Sequence, residues 1–195
     1  MRILNKIRLA GEIGEVKYSY TYKGMDFYKA YITTHRQSGN TDTIPVILPS
    51  QFMDIQGKVC LIGEIRTRNV HKDGKNHLDI FVFVKEVEDY TEDENYVIGD
   101  GYICKEPLYR VTPLLRRISD VLIACNREEH SDYIPSIAWG RNAERIADFK
   151  VGTHLKFEGR LQSRRYMKTV DEYKDLFVER TAYELSMSKI KERSD

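Results

Sequence analysis

The sequence predicts an all-β protein with short helices, built from two similar five-stranded units in tandem. Segments that alternate polar and apolar residues, as half-buried strands do, follow one another along most of the chain, with short polar turns between them. An internal repeat indicates the tandem: residues 5–11, 41–45 and 63–68 recur in the same order as residues 95–101, 131–135 and 159–164. Each unit is expected to carry one short helix between its third and fourth strands.

The first unit begins with two predicted strands over residues 6–35, which meet at a turn formed by Lys23 and Gly24. Tyr18, Tyr20 and Tyr22 fall at every second position, which predicts that their rings share one face of the hairpin. Tyrosine fits a pleated sheet surface, so we expect these rings to be half-buried against a neighbour. The alternative is an aromatic hairpin that projects to grip a ligand or a partner.

The remainder of the first unit is predicted as three strands and a helical connector. A third strand covers residues 43–48, and Ser50 is a candidate N-cap for a helix over residues 51–55. The fourth and fifth strands follow Gly57 and meet at a hairpin turn over residues 72–75. The acidic segment at residues 89–95 is poor in apolar residues, so the domain boundary is predicted between residues 1–91 and residues 92–195.

The second unit repeats this order. Its strands are predicted over residues 96–105, 118–127, 133–139, 153–167 and 176–190, and its helix over residues 142–149. Alternation along the fourth strand places one set of apolar side chains inside the barrel: Leu155, Phe157 and Leu161. The opposite, outward set is mostly cationic: Lys156, Arg160, Gln162, Arg164 and Tyr166.

Aromatic residues near the strand ends of the second unit are interleaved with arginine and lysine. This combination is typical of a surface that stacks the bases and neutralises the phosphates of a single strand. Tyr133 and Trp139 share one face of the third strand, and Tyr166 ends the cationic face of the fourth. Two alternatives stay open: Trp139 packs in the core against the helix, and the charged strand face is merely solvated.

The second unit resembles the bacterial single-stranded DNA-binding protein family over residues 95–190. The resemblance rests on the order and spacing of short motifs, which are Gly101, Glu106-Pro107, Arg110-Val111-Thr112, Ala124-Cys125-Asn126-Arg127, Ser131-Asp132-Tyr133, Ala138-Trp139-Gly140-Arg141, Ala143-Glu144, Val151-Gly152 and Glu158-Gly159-Arg160-Leu161-Gln162. It implies tandem OB barrels that bind single-stranded DNA in replication, recombination or repair. Because the family generally assembles four barrels, it also implies a homodimer that forms a four-barrel pseudo-tetramer.

The resemblance assigns base stacking to the aromatic residues at the matching positions, Tyr133, Trp139 and Tyr166. Phosphate neutralisation is expected from the cations near them: Arg127, Arg141, Arg160, Arg164, Arg165 and Lys168. The first unit lacks this stacking set, because Thr43, Pro49 and Val70 stand at the matching positions. Its Arg66 and Arg68 remain, so we expect weak phosphate contact there and most of the affinity in the second unit.

Composition restricts the classes of function. The net charge of +1 excludes a uniformly basic coat, so any nucleic-acid surface must be a local stripe. The odd set of Cys60, Cys104 and Cys125 has no Cys-x-x-Cys spacing, which favours reduced thiols in a cytoplasmic protein over metal or redox chemistry. No catalytic constellation, nucleotide motif, signal peptide or membrane span is recognised, so we expect neither an enzyme nor a bound cofactor or metal.

One departure from the family raises a second hypothesis. The family's usual Gly/Pro/Gln-rich extension with its acidic, Phe-tipped end is not found in this sequence, so we expect either that the protein does not recruit replication and repair enzymes or that it is a specialised paralogue. The near-neutral charge and the missing aromatics of the first unit suggest an alternative function. In that alternative, the tandem is a protein-interaction module of primosome or recombination machinery, and its contact with DNA is weak.

Overall fold

Strands make up most of the computed structural model, which describes residues 5–72, 74–128, 130–171 and 176–193. The first six are β1 (Asn5–Ile13), β2 (Lys17–Tyr22), β3 (Met25–His35), β4 (Thr41–Pro49), β5 (Gly57–Lys72) and β6 (Lys75–Glu88). The second six are β7 (Glu94–Ile103), β8 (Leu108–Val111), β9 (Arg117–Asn126), β10 (Ser131–Trp139), β11 (His154–Asp171) and β12 (Leu176–Glu192). No helix in this described part has the length and apolar character needed to cross a membrane.

Five strands close each barrel. The hydrogen-bonded order is β2-β3-β4-β6-β5-β1-β7-β11-β12-β10-β9-β8, and the additional pairings β3–β1 and β7–β9 close a ring in each half. Strands β2 and β8 stand outside these rings. The predicted first strand of the first unit is interrupted and β2 is its second part, whereas β8 follows β7 beyond the predicted strand over residues 96–105. The predicted all-β fold with two tandem five-stranded barrels is confirmed, and β8 is a strand that the sequence did not predict.

The connectors between the third and fourth strands differ in the two barrels. The second barrel carries helix α1 (Arg141–Ala147), in which Ala143 and Ile146 are buried. The first barrel has only a single 3-10 turn, Ser50–Phe52. Pro49 occupies the N-cap position and no side chain caps the turn, so the prediction that Ser50 caps a longer helix is wrong.

The core follows the predicted alternation of the fourth strand. Leu155, Phe157 and Leu161 are buried inside the second barrel, as predicted. Gln162 was predicted to face outward with the cationic set, but its side chain is buried. Its Nε2 donates a hydrogen bond to Glu184 Oε1 at 2.7 Å. The cysteines are free, as expected for packed thiols, and Cys60 and Cys125 are buried. Burial raises the pKa of Cys125 to about 12.

The hairpin of β2 and β3 differs from the prediction. Tyr18 lies opposite Tyr28 and Tyr20 lies opposite Phe27, so a β-bulge between the two tyrosines shifts the register. Tyr28 and Phe27 are neighbours in β3, so their side chains point to opposite faces of the sheet. Their partners Tyr18 and Tyr20 therefore also point to opposite faces, and the prediction that all three tyrosines share a face is wrong. Tyr20 is half-buried against Phe27, but Tyr18 and Tyr22 are 60% and 58% exposed, so they are not the half-buried residues expected.

Glycine allows the fourth strand of each barrel to approach the fifth closely. A Cβ atom at Gly63 would lie 2.3 Å from the carbonyl oxygen of Phe83, and one at Gly159 would lie 2.2 Å from that of Ser186. Both glycines stand at a register shift in the ladder. A Cβ atom at this distance would clash with the backbone, so any other residue at either position would force the two strands apart.

Two buried aspartates at matching positions join the barrels. Asp132 of β10 accepts a hydrogen bond from the backbone N–H of Thr67 at 2.8 Å, and the N–H of Tyr133 donates to Thr67 Oγ1 at 2.9 Å. In the mirror arrangement, Asp42 of β4 accepts from the N–H of Ser163 at 2.9 Å. The N–H of Thr43 donates to Ser163 Oγ at 3.1 Å. The third strand of each barrel is therefore bound to the fourth strand of the other.

The strand pairing between β1 and β7 completes this junction. The two strands run antiparallel, with Asn5 opposite Gly99 and Ala10 opposite Glu94, so the sheet is continuous from one barrel to the next. Arginines neutralise the buried carboxylates: Arg127 Nε lies 2.9 Å from Asp132 Oδ2, and Arg36 Nε lies 2.7 Å from Asp42 Oδ2. Both aspartates are inaccessible to solvent, and hydrogen bonds to an ionised group are strong. These bonds therefore help to fix the position of one barrel relative to the other.

Replacing Asp132 by alanine should strongly destabilise the protein. The change leaves the N–H of Thr67 and the guanidinium of Arg127 without their acceptor, and breaking one side of a buried ion pair costs ~3–5 kcal/mol. Urea unfolding followed by circular dichroism measures the loss. The matched control is Asp79→Ala, which removes an exposed partner of Arg68 and should cost about 0–1 kcal/mol. Equal losses for the two variants would contradict the role assigned to Asp132.

Candidate nucleic-acid interface

A row of side chains crosses the outer surface of the second barrel with Trp139 at its centre. Arg110 of β8 lies opposite Ile118 of β9, and Ile118 lies opposite Trp139 of β10. On the other side, Ser186 of β12 lies opposite Arg160 of β11, and Trp139 Nε1 donates a hydrogen bond to Ser186 Oγ at 3.2 Å. Directly opposed residues share a sheet face, so these five side chains lie in line across the barrel.

An open groove of about 970 Å³ follows this row. Five arginines and two aromatic rings line it, namely Arg36, Arg110, Arg116, Arg160, Arg164, Tyr96 and Trp139. Trp139 is 38% exposed, so it is not the core residue that one reading of the sequence allowed. An accessible ring between cations is the arrangement that stacks a base while it neutralises the phosphates on either side.

Carboxylates in the same groove reduce its positive charge unevenly. Asp120 pairs with Arg110 at 2.8 Å, and Glu184 lies 3.8 Å from Arg164 Nε. Arg116 makes no ion pair within the described residues. It lies in the turn between β8 and β9, immediately before the first residue of β9. The net positive charge is therefore a local stripe, in agreement with the near-neutral charge of the whole chain.

Of the nine residues predicted for the interface, Trp139, Arg160 and Arg164 come together in the groove. Tyr166 continues the same face of β11, with the guanidinium carbon of Arg164 5.6 Å from its ring centre. Tyr133 shares its face of β10 with Trp139 but stands six residues away, which is about 20 Å along a strand. Tyr166 and Tyr133 are 39% and 46% exposed, so both rings are accessible.

The other predicted cations lie apart from the groove. Arg127 pairs with the buried Asp132 at the junction of the barrels, and Arg141 is exposed at the start of α1. Arg165 points away from Arg164 and lines a second cavity, toward the first barrel. The side chain of Lys168 lies outside the described part of the chain. The structure therefore does not bring Arg127, Arg141 and Arg165 into the groove with Trp139.

Sequence analysis did not predict Arg110 and Arg116, which line the groove. Both flank the hairpin of β8 and β9, and β8 has only four residues, which is too short for alternation to be recognised. The signal that could have identified them is a cluster of three arginines within residues 110–117, in the same unit as the predicted stacking residues. In the first barrel, Thr43 and Pro49 occupy β4 where Tyr133 and Trp139 occupy β10, so these positions carry no ring.

Comparison with solved structures supports the fold. The wild-type single-stranded DNA binding protein from Thermus aquaticus superposes with a TM-score of 0.80 at 19% identity, over 100% of this chain and 95% of that one. A deletion mutant of the same protein gives a TM-score of 0.77 at 20% identity, over 100% and 96% of the two chains. The predicted fold of tandem OB barrels is confirmed by this likeness.

Sequence relatives match a shorter region. Single-stranded DNA-binding protein A of Bacillus subtilis (strain 168) is 35% identical over 80 residues, which are 37% of this chain and 46% of that protein. Single-stranded DNA-binding protein 3 of Listeria innocua is 32% identical over 80 residues, 37% of this chain and 50% of that protein. The chain thus spans about half the length of the curated relatives it matches.

The family comparison covers the second barrel, which carries the groove. The model of the single-strand binding protein family matches residues 94–192, from the first residue of β7 to the last residue of β12. This region contains every residue of the Trp139 row and slightly more than half of the chain. The chain therefore belongs to the single-strand binding protein family.

Proposed function

We propose that this protein binds single-stranded DNA without sequence preference, chiefly through its second barrel. The observation that carries the proposal is the accessible Trp139 ring in line with Arg110 and Arg160, at the centre of an open groove. Family membership and the names of the curated relatives support it. Roles in replication, recombination or repair follow as part of the proposal.

The mechanism is base stacking combined with phosphate neutralisation. The hydrogen bond from Trp139 Nε1 to Ser186 fixes the indole, so a base stacks on a ring whose orientation is already set. Arg110 and Arg160 each lie two strands from Trp139, or about 10 Å at the usual strand spacing, within reach of the backbone on either side. Every base has a π-face, so this contact tolerates any sequence. The function is binding, without catalysis and without a cofactor.

We propose that the two barrels are separate domains with unequal roles. Strand β6 ends at Glu88 and β7 begins at Glu94, which supports a division between residues 1–91 and residues 92–195. The second domain holds the stacking set of Tyr133, Trp139 and Tyr166, so it supplies most of the affinity. The first domain mainly positions the second through the junction at Asp42 and Asp132.

A second candidate function is a protein-interaction module. The observation that favours it is the apolar tip of the hairpin between β8 and β9, where Leu114 and Leu115 are 76% and 84% exposed. Exposed apolar side chains at a projecting tip suit contact with another protein. The same titration that tests DNA binding separates the two candidates.

Titration with oligo-dT should quench the fluorescence of Trp139, the single tryptophan of the chain. A stacked base lies directly on the indole, so quenching should saturate with the binding curve. Raising the salt should weaken binding, with a slope of about −0.7 in log K against log salt for each phosphate contact. Unchanged fluorescence at low salt would contradict single-strand binding and favour the interaction module.

Replacing Tyr133, Trp139 and Tyr166 together by alanine should weaken binding while the fold is retained. Each stacked base contributes ~1–3 kcal/mol, and the three rings are accessible rather than packed in the core. Anisotropy of a labelled oligo-dT measures the affinity, and circular dichroism checks the fold. The matched control is Thr43→Ala with Val70→Ala at the corresponding positions of the first barrel, which should bind almost as the wild type does. An unchanged affinity of the triple variant would rule out this stacking set.

We propose that the protein is a homodimer, because two barrels per chain then give the four-barrel pseudo-tetramer expected of the family. Size-exclusion chromatography with light scattering should give twice the chain mass of 22.9 kDa. Dilution over the working range of concentration serves as the control for a weak association. A mass of one chain at every concentration would contradict the dimer and leave single-strand binding to be judged by the titration.

A further inference from the structure

The two junctions between the barrels have the same plan but different charge. We call the surroundings of Asp42 the first junction and those of Asp132 the second junction. Arg36 and Arg127 hold the two carboxylates in the same way, each through its Nε atom. The repeat that aligns Gly63 with Gly159 places Glu64 at the position of Arg160, so one junction has an acid where the other has a base.

In the second junction, each arginine donates directly to a carboxylate. Arg66 donates to Glu64 and also to Asp132 Oδ2, the latter at 3.1 Å, and Arg127 donates to the same oxygen of Asp132 at 2.9 Å. Two guanidinium groups therefore meet two carboxylates. Lys85 Nζ lies 3.9 Å from Glu64, which adds further positive charge against that acid. Nothing in this arrangement calls for an additional anion.

In the first junction, Arg160 has no carboxylate of the described residues within hydrogen-bond distance, because Glu184 accepts from Gln162 instead. Arg36 and Arg160 face the single carboxylate of Asp42, because Gln162 replaces the second arginine and no acid replaces Glu64. Arg36 takes both oxygens of Asp42 in a bidentate pair. Arg160 Nε lies 4.0 Å from Asp42 Oδ2, which is beyond hydrogen-bond distance.

The guanidinium of Arg160 is only partly satisfied. Its Nε atom is buried and has no hydrogen-bond partner, and its Nη2 makes one long bond of 3.3 Å to Gln162 Oε1. Burial and the neighbouring positive charge of Arg36 lower the pKa of Arg160. The side chain as a whole is 41% exposed, so an anion in the groove can reach the guanidinium and supply acceptors that the protein does not.

The first junction also connects two cavities. The groove with Trp139 and a second cavity of about 710 Å³ share Arg36, Ser163 and Arg164 as lining residues. The far wall of the second cavity is Tyr31 of β3, in the first barrel, which is exposed and has Lys29 Nζ 5.3 Å from its ring centre. A path therefore runs from Trp139 past the partly satisfied arginine to an exposed ring on the other barrel.

We infer that the first junction is a phosphate site at which a single strand crosses from Trp139 of the second barrel to Tyr31 of the first. This inference rests on the proposed function. The phosphate belongs to a polynucleotide because the site lies on a continuous path between two exposed rings, each accompanied by a cation. It gives the first barrel a stacking residue that does not correspond to any of the second barrel's three.

Binding of a short and a long oligo-dT to the full chain tests the crossing. The short one has about the length that a single OB barrel holds, ~4–16 nucleotides, and the long one about twice that. Tyr31→Ala should weaken binding of the long strand by about 5- to 150-fold, the loss of one stacked base, and leave the short strand unaffected. Arg160→Gln should make the salt slope for the long strand shallower by about 0.7.

Two matched variants control for general effects. Tyr22→Ala removes another exposed tyrosine of the first barrel, and Lys17→Gln removes the same charge from an exposed lysine. Both should bind the long strand as the wild type does. Thermal unfolding of the wild type and Arg160→Gln with inorganic phosphate distinguishes a free anion from a backbone phosphate.

The results separate this inference from the proposed function. If wild-type Trp139 is quenched but Tyr31→Ala binds the long strand as the wild type does, the crossing is overturned and single-strand binding stands. If inorganic phosphate stabilises only the wild type while Tyr31→Ala has no effect on the long strand, the junction is a site for a free anion and the crossing is again overturned. If neither strand quenches wild-type Trp139, the proposed function and the crossing both fail.

Discussion

Two carboxylates that solvent does not reach hold the barrels in one fixed arrangement. Asp42 and Asp132 each accept a backbone hydrogen bond from the other barrel and an arginine from their own. Moving one barrel against the other would leave a buried charge without its partners, which is among the most costly changes a protein can undergo. The groove at Trp139 and the cavity at Tyr31 consequently lie at a constant separation.

Much of the fold could be predicted because it depends on local patterns that repeat. Alternation along the fourth strand correctly placed Leu155, Phe157 and Leu161 in the core, and the internal repeat correctly gave two barrels. The errors arose where one residue changes the pattern. A bulge between Tyr18 and Tyr20 moves the side chains that follow it to the opposite face of the sheet. A bulge cannot be detected from the spacing of residues in one strand, because it is defined by the pairing with the partner strand.

The candidate site was predictable in its rings and less so in its charges. Trp139 and Tyr166 were predicted because aromatic residues are interleaved with arginine and lysine in this unit and because the family resemblance assigns base stacking to their positions. An arginine is different, since its long side chain can serve a surface, a groove or a buried carboxylate. Arg127 forms an ion pair with Asp132 of its own barrel and does not line the groove. Arg110 lines the groove from β8, a strand too short to be recognised in the sequence. Which of these partners an arginine contacts depends on the tertiary structure and cannot be predicted from local sequence.

Joining both barrels in one polypeptide frees their matching positions to differ. In an assembly of identical single-barrel subunits, every substitution would appear in both partners, and a charge could not change on one side alone. Here Glu64 and Arg160 occupy matching positions with opposite charge. The molecule therefore has a direction, and a polymer with distinguishable ends that lies across it meets different chemistry toward each end. Orientation of the bound chain, which a symmetric pair cannot impose, becomes a property that evolution can select.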